Sequence, residues 1–211
     1  MRWRRQIAWN GGDLGWRVGA LFIVGAFLFA LGSFPPYAHW VPATVGAATF
    51  ALGSVFFTSA GYSQFLQALN DGRTSFRWIG VRTDDLVWWA TAVQLGGTIW
   101  FNISTFRALT VGFGDEQYDR LVWAPDMFGS IAFLVASTLA WAALVGFHLV
   151  IRSNEAGWWV NLLNGIGSVF FMLSALTALV LPTDGEVVNI ALANLGTFAG
   201  AVCFLVGGYL L

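Results

Sequence analysis

Six stretches of roughly 20 residues, each almost wholly apolar and without a charge in its interior, divide this chain. Runs of that length and character cross hydrocarbon as helices, since every backbone polar group there needs a partner within the segment. Each run also carries one copy of a nine-residue unit. It reads Gly, a small residue, any two, Phe, any one, a branched aliphatic, then two small residues. The copies begin at Gly25 (GAFLFALGS), Gly46 (GAATFALGS), Gly97 (GTIWFNIST), Gly129 (GSIAFLVAS), Gly167 (GSVFFMLSA) and Gly200 (GAVCFLVGG). On a helix the first, fifth, eighth and ninth positions share a face. That face is flat and notched, with one aromatic knob leaning over the turn that holds the glycine. Helices in lipid associate by close packing through small residues. The unit is therefore read as a helix-packing device built on Gly25, Phe29, Gly46, Phe50, Gly97, Phe101, Gly129, Phe133, Gly167, Phe171, Gly200 and Phe204.

Composition agrees with burial in lipid. Hydrophobic residues make up 57% of the 211 and charged residues 10%, where a water-soluble domain carries about 25% charged residues. Net charge is −1, so no nucleic-acid surface is implied. There is no lysine; all ten basic residues are arginine, which removes Schiff-base chemistry. Cys203 stands alone, so an intramolecular disulfide and a cysteine metal cluster are excluded.

The expected fold is all-α, a single membrane domain over residues 1–211 built as a six-helix transmembrane bundle. The spans fall at about 16–34, 42–65, 86–106, 127–151, 158–181 and 187–211, after an interfacial segment over residues 1–15. Pro35, Pro36 and Pro182 close helices and Pro42 opens one. Orientation follows from arginine. With the N-terminus cytoplasmic, Arg2, Arg4, Arg5, Arg17, Arg73, Arg77, Arg82 and Arg152 lie inside, and only Arg107 and Arg120 lie outside. Both termini are then cytoplasmic, and most tryptophans fall at span ends.

FALGS recurs at 29–33 and 50–54, and GSVFF at 53–57 and 167–171. These echoes indicate duplication, either three copies of a helix pair or six copies of one helix. The unit starts almost at the outer end of the fourth run and in the inner half of the sixth. A single central ring of phenylalanines is therefore not expected. Over residues 158–211 and 18–60, these Gly-small-x-x-Phe-x-aliphatic units make the chain resemble the YrhK-like family of small bacterial membrane domains. That resemblance implies a multi-pass protein of uncharacterised function in the bacterial cytoplasmic membrane, and it supplies no catalytic residues.

Polar side chains inside the runs are the candidates for chemistry, because they need partners in lipid. They are Gln94, Asn102, His148, Asn161, Asn164 and Asn194. Converging, they would line a cavity for a small neutral or zwitterionic ligand; dispersed, they are interhelical hydrogen-bonding groups. His39 and His148 are assigned to opposite membrane faces, about 30 Å apart, and cannot share a metal or haem. Asp115, Glu116 and Asp119 form an acidic loop without EF-hand spacing. No proton-relay acid, arginine ladder, P-loop or HExxH motif is present in the sequence. The expectation is a protein that is not an enzyme, with no catalytic residue, cofactor or metal, structural or accessory in role. The competing expectation is a small transporter or channel for a neutral or lipophilic solute. Expected partners are the bilayer, anionic lipid at the cytoplasmic face through residues 71–82, and a second copy of the chain or another membrane protein.

Overall fold

The computed structural model describes residues 11–110, 113–148, 150–152, 154–181 and 185–211. The first ten residues, Leu149, Ser153, Pro182 and Asp184 therefore lie outside the described residues, and with them most of the expected interfacial segment. The chain is all-helical: α1 (Leu14–Ser33), a short α2 (Pro35–Trp40), α3 (Ala43–Asn70), α4 (Leu86–Arg107), a short α5 (Asp115–Tyr118), α6 (Ala124–Val145), α7 (Ala156–Thr177) and α8 (Ile190–Leu210). A π-helical turn, Asp119–Trp123, joins α5 to α6 without a break. Among the described residues β pairing is limited to one isolated antiparallel bridge, Val180 with Val187.

Local chemistry sets the helix ends. The carboxylate of Asp13 accepts hydrogen bonds from the backbone N–H groups of Gly15 and Trp16, and Asp85 does the same for Val87 and Trp88. The Asn189 side chain caps α8 at Leu192. Such caps satisfy N–H groups that the first turn leaves orphaned. Gly146 ends α6 with φ of 69°, a conformation that L side chains rarely adopt. At the end of α3, Arg73 Nε donates to the carbonyl of Leu69, and Arg82 donates to Ala68 and Asp71.

Among the described residues, five helices are long and apolar enough to cross a membrane: Leu14–Ser33, Ala43–Asn70, the continuous Asp115–Val145, Ala156–Thr177 and Ile190–Leu210. α4 has 22 residues but is not among the five. Gln94, Asn102 and three tryptophans dilute it.

Six long helices form a closed ring in chain order, with α8 packed on α1. The ring is made of three antiparallel hairpins, α1/α3, α4/α6 and α7/α8, and each is clasped by the same reciprocal contact. A Cβ added to Gly25 would lie 2.9 Å from Phe57, and one on Gly53 would lie 2.7 Å from Phe29. Gly97 meets Phe133 at 2.8 Å and Gly129 meets Phe101 at 2.7 Å. Gly167 meets Phe204 at 2.9 Å and Gly200 meets Phe171 at 2.7 Å. Each phenylalanine thus fills the notch of its partner helix. The contacts thus group the six helices as three equivalent pairs.

Two expectations are corrected here. In α3 the packing pair is Gly53 and Phe57. Gly46 has no atom within 4 Å of an added Cβ, and Phe50 is only half-buried, its ring edge-on to Phe29 and over Gly32. The phenylalanines also meet at the centre after all. Phe29, Phe101 and Phe171 form one triangle, with centroids 5.8 to 6.3 Å apart. Phe57, Phe133 and Phe204 form a second, at 5.4 to 6.3 Å. Within each hairpin the two triangles touch at 5.1 to 5.4 Å. The glycines lie level because α5 and the π-turn lengthen the fourth span at its start, while Gly146 shortens its end. Gly129 therefore sits at mid-helix. In lipid the gain is dispersion and ring geometry rather than water release, about 0.5–1.5 kcal/mol per aromatic pair.

Candidate functional site

The hairpin geometry sorts the polar residues. The residue after each packing glycine faces the neighbouring helix, and all six (Ala26, Ser54, Thr98, Ser130, Ser168, Ala201) are at most 1% exposed. Their chemistry differs from seam to seam. Between α3 and α4, Ser54 donates to Asn102 Oδ1 at 2.8 Å and shares a 2.8 Å bond with Thr105. Asn102 Nδ2 donates to Thr58, whose hydroxyl donates in turn to the carbonyl of Thr98. Between α6 and α7, Ser137 and Ser168 are 2.9 Å apart, and Ser130 donates to the carbonyl of Phe171. The α8–α1 seam is apolar, with Gly208 against Gly19 and Phe22.

The six sequence candidates do not converge on one cavity. Asn102 belongs to the α3–α4 network. Gln94 lies three residues before Gly97, deep in the same seam, 9% exposed, and its Nε2 has no hydrogen-bond partner. The register set by Ser54 against Asn102 and Gly61 against Thr98 puts Gln64 level with Gln94. Gln64 Oε1 is also buried and unpartnered. Asn164 packs on Gly207 of α8, its Oδ1 3.1 Å from where a Cβ would stand. Asn194 is half-buried near the start of α8. Asn161 donates to the carbonyl of Gly157 in its own helix.

Asn161 and His148 do share a place. Both line an open-sided groove of about 460 Å³ between α6 and α7, with Leu134, Ser137, Thr138, Trp141, Phe147, Leu162, Gly165, Ile166 and Val169. The segment after Gly146 closes its end: Trp141 Nε1 donates to the carbonyl of His148 and Trp158 Nε1 to that of Val150. His39 is exposed on α2, at the opposite end of the hairpins. Among the described residues no three His, Cys, Asp or Glu side chains gather as a metal site would require. In the acidic stretch, Asp119 Oδ1 accepts from the backbone N–H of Val180, tying the π-turn to the α7–α8 connection.

The basic linker is folded rather than loose. Asn70 clasps the backbone of Arg77 from both sides, and Tyr62 donates to the carbonyl of Trp78. The strap therefore runs back along α3, with Phe76, Trp78, Ile79 and Val81 exposed. Arg82 pairs with Asp85 at 3.3 Å.

Three features escaped sequence reasoning. The hydroxyl cluster of Ser54, Thr58, Thr98 and Thr105 is one, although hydroxyls directly after packing glycines were its signal. Gln64 is the second. The third is a lead-in shared by α1, α4 and α7: an acid (Asp13, Asp85, Glu155), a tryptophan (Trp16, Trp88, Trp158) and then the packing glycine (Gly25, Gly97, Gly167) recur at identical spacing. All three acids are helix N-caps. No family model, curated protein or solved structure matches the chain.

Proposed function

We propose that this chain is a non-enzymatic membrane protein of the YrhK-like kind, structural or accessory in role, that crosses a bacterial cytoplasmic membrane six times. On this reading α4 is the sixth span, because it stands in the ring between α3 and α6 and its polar groups face α3 rather than lipid. The arginine distribution supports cytoplasmic termini. The strap over residues 71–85, with its exposed aromatics and arginines, suits anionic headgroups at that face.

One observation carries the reading. The axis of the ring, where a solute path would run, is filled by six buried phenylalanines, each at most 6% exposed. The polar candidates do not converge on that axis: Gln94 and Asn102 lie in the α3–α4 seam, His148 and Asn161 in a groove at the side of α6 and α7, and Asn164 and Asn194 elsewhere. Outward-facing glycines favour association instead: Gly46 and Gly96 have no atom within 4 Å of an added Cβ, and close approach of another helix is what such positions permit. Proteoliposomes holding the protein should be no more permeable to glycerol or urea than empty ones. A saturable flux above that level would sink the reading in favour of a transporter. Single cysteines at residues 39 and 152 in a Cys203→Ser background, labelled with an impermeant maleimide in intact cells, test the topology. Only residue 39 should react.

A further inference from the structure

The three seams between hairpins are topologically equivalent, yet one is incomplete. The α3–α4 seam is bridged by hydroxyls and an amide, and the α8–α1 seam by backbone-close glycines. The α6–α7 seam is held at Ser137–Ser168 and opens beyond it into the 460 Å³ groove. Two sequence features make the gap. Gly165 presents no side chain where a larger residue would reach across, and Gly146 ends α6 at Val145.

We infer that this groove is a binding site for one acyl chain of a membrane lipid, with the lipid's polar end at His148 and Asn161. Length argues for it. The lining runs from Leu134 to Trp141 on α6, and from Val169 back to Asn161 on α7. At about 1.5 Å per residue this is about 10–12 Å, most of the hydrocarbon depth of one leaflet. Polarity argues for it too. Leu134, Ile166 and Val169 line the deep part, where the hydroxyls of Ser137 and Thr138 are taken up by Ser168 and by the carbonyl of Leu134. His148, Asn161 and Trp141 stand at the shallow end, where Trp141 and Trp158 pack with centroids 6.0 Å apart, as an interfacial tryptophan pair does. The volume is that of a site for a molecule, not for one water. The nearest ion pair, Arg152–Glu155 at 3.7 Å, is exposed beside that end and offers a guanidinium to a phosphate. The site does not depend on which face is cytoplasmic, nor on the accessory role proposed above.

The full chain in nanodiscs containing a phospholipid with a diazirine midway along one acyl chain tests this. Irradiation and peptide mapping should place the label on residues 134–141 and 162–169 in excess over the lipid-facing flanks of α3 and α4. Gly165→Phe fills the groove and should abolish that excess with no change in melting temperature. Gly96→Phe, at an equally open position on α4, should leave it intact. His148→Ala should weaken it. Label spread evenly over all helices, or an excess that survives Gly165→Phe, overturns the inference. Should Gly165→Phe fail to fold, Ile166→Trp occupies the same groove and carries the same two outcomes.

Discussion

The α3–α4 and α8–α1 seams occupy the same position in the ring and are built from opposite materials. In the first, Ser54, Thr58, Thr98, Asn102 and Thr105 exchange hydrogen bonds. In the second, Ala26 and Ala201 are fully buried and Gly208 lies against the backbone of Gly19, with 3.1 Å between an added Cβ and the carbonyl oxygen. The difference follows chain connectivity. α3 and α4 are tied by the strap over residues 71–85, so their seam starts with its partners already close. α8 and α1 share no direct link, and their contact is the more extensive of the two. A hydrogen bond between membrane helices contributes about 0.6 kcal/mol on average, so polar groups alone are a weak closure. Backbone-close packing, summed over many atoms, serves better where the chain itself does not help.

That contrast can be broken at graded cost. Phe57→Ala removes a ring on which both seams rest and should destabilise by about 3–5 kcal/mol. Phe50→Ala, outside the central cluster, should cost far less; equal losses in detergent melting would refute the assigned α3 register. Gly208→Leu would push against the Gly19 carbonyl, Phe22 Cβ and Ile23 Cγ1, all within 3.3 Å of an added Cβ, and should cost about 3 kcal/mol. Gly61→Ala, in the other seam, meets ordinary contacts at 3.5–3.6 Å and should cost under about 1 kcal/mol. Similar effects of the two would erase the distinction between seams. Gly167→Leu, inside a hairpin, belongs with Gly208→Leu, because the Phe204 ring fills its notch.

Smaller effects probe the polar seam. Asn102→Leu removes its bonds to Ser54 and Thr58, which keep Thr105 and the carbonyl of Thr98 as partners, and should cost about 0.5–1.5 kcal/mol in reversible unfolding from mixed micelles. Gln94→Leu should go the other way. The Gln94 Nε2 is buried without a partner, and a Leu of similar shape should be neutral or stabilising by up to about 1 kcal/mol. A clear loss on Gln94→Leu would mean that the amide holds a partner, such as a bridging water to Gln64.

Much of this was legible in the sequence because packing in lipid needs a particular alphabet. Gly25, Gly97, Gly129, Gly167 and Gly200 each stand opposite a phenylalanine four residues after another glycine. Gly53 was obscured because Ser59 stands where the unit has a branched aliphatic, while the GAATFALGS stretch just upstream fits the pattern and faces elsewhere. The meeting of the six rings was hidden for a different reason. Hydropathy marks where apolar residues stop, and the polar α5 and π-turn extend a helix beyond that limit. The polar network was the least legible. Which hydroxyl faces which depends on rotation about six axes, and that is fixed only when the ring closes.

The ring has no privileged starting point. Since α8 ends on the face where α1 begins, beside it, a short link between them and a cut in the connection after Gly146 would yield a permutant with the same three hairpins in a new order. Its new termini would lie next to the groove. Two co-expressed fragments divided there, one carrying α1 to α6 and the other α7 and α8, would be expected to reassemble through the same interlocked rings and notches.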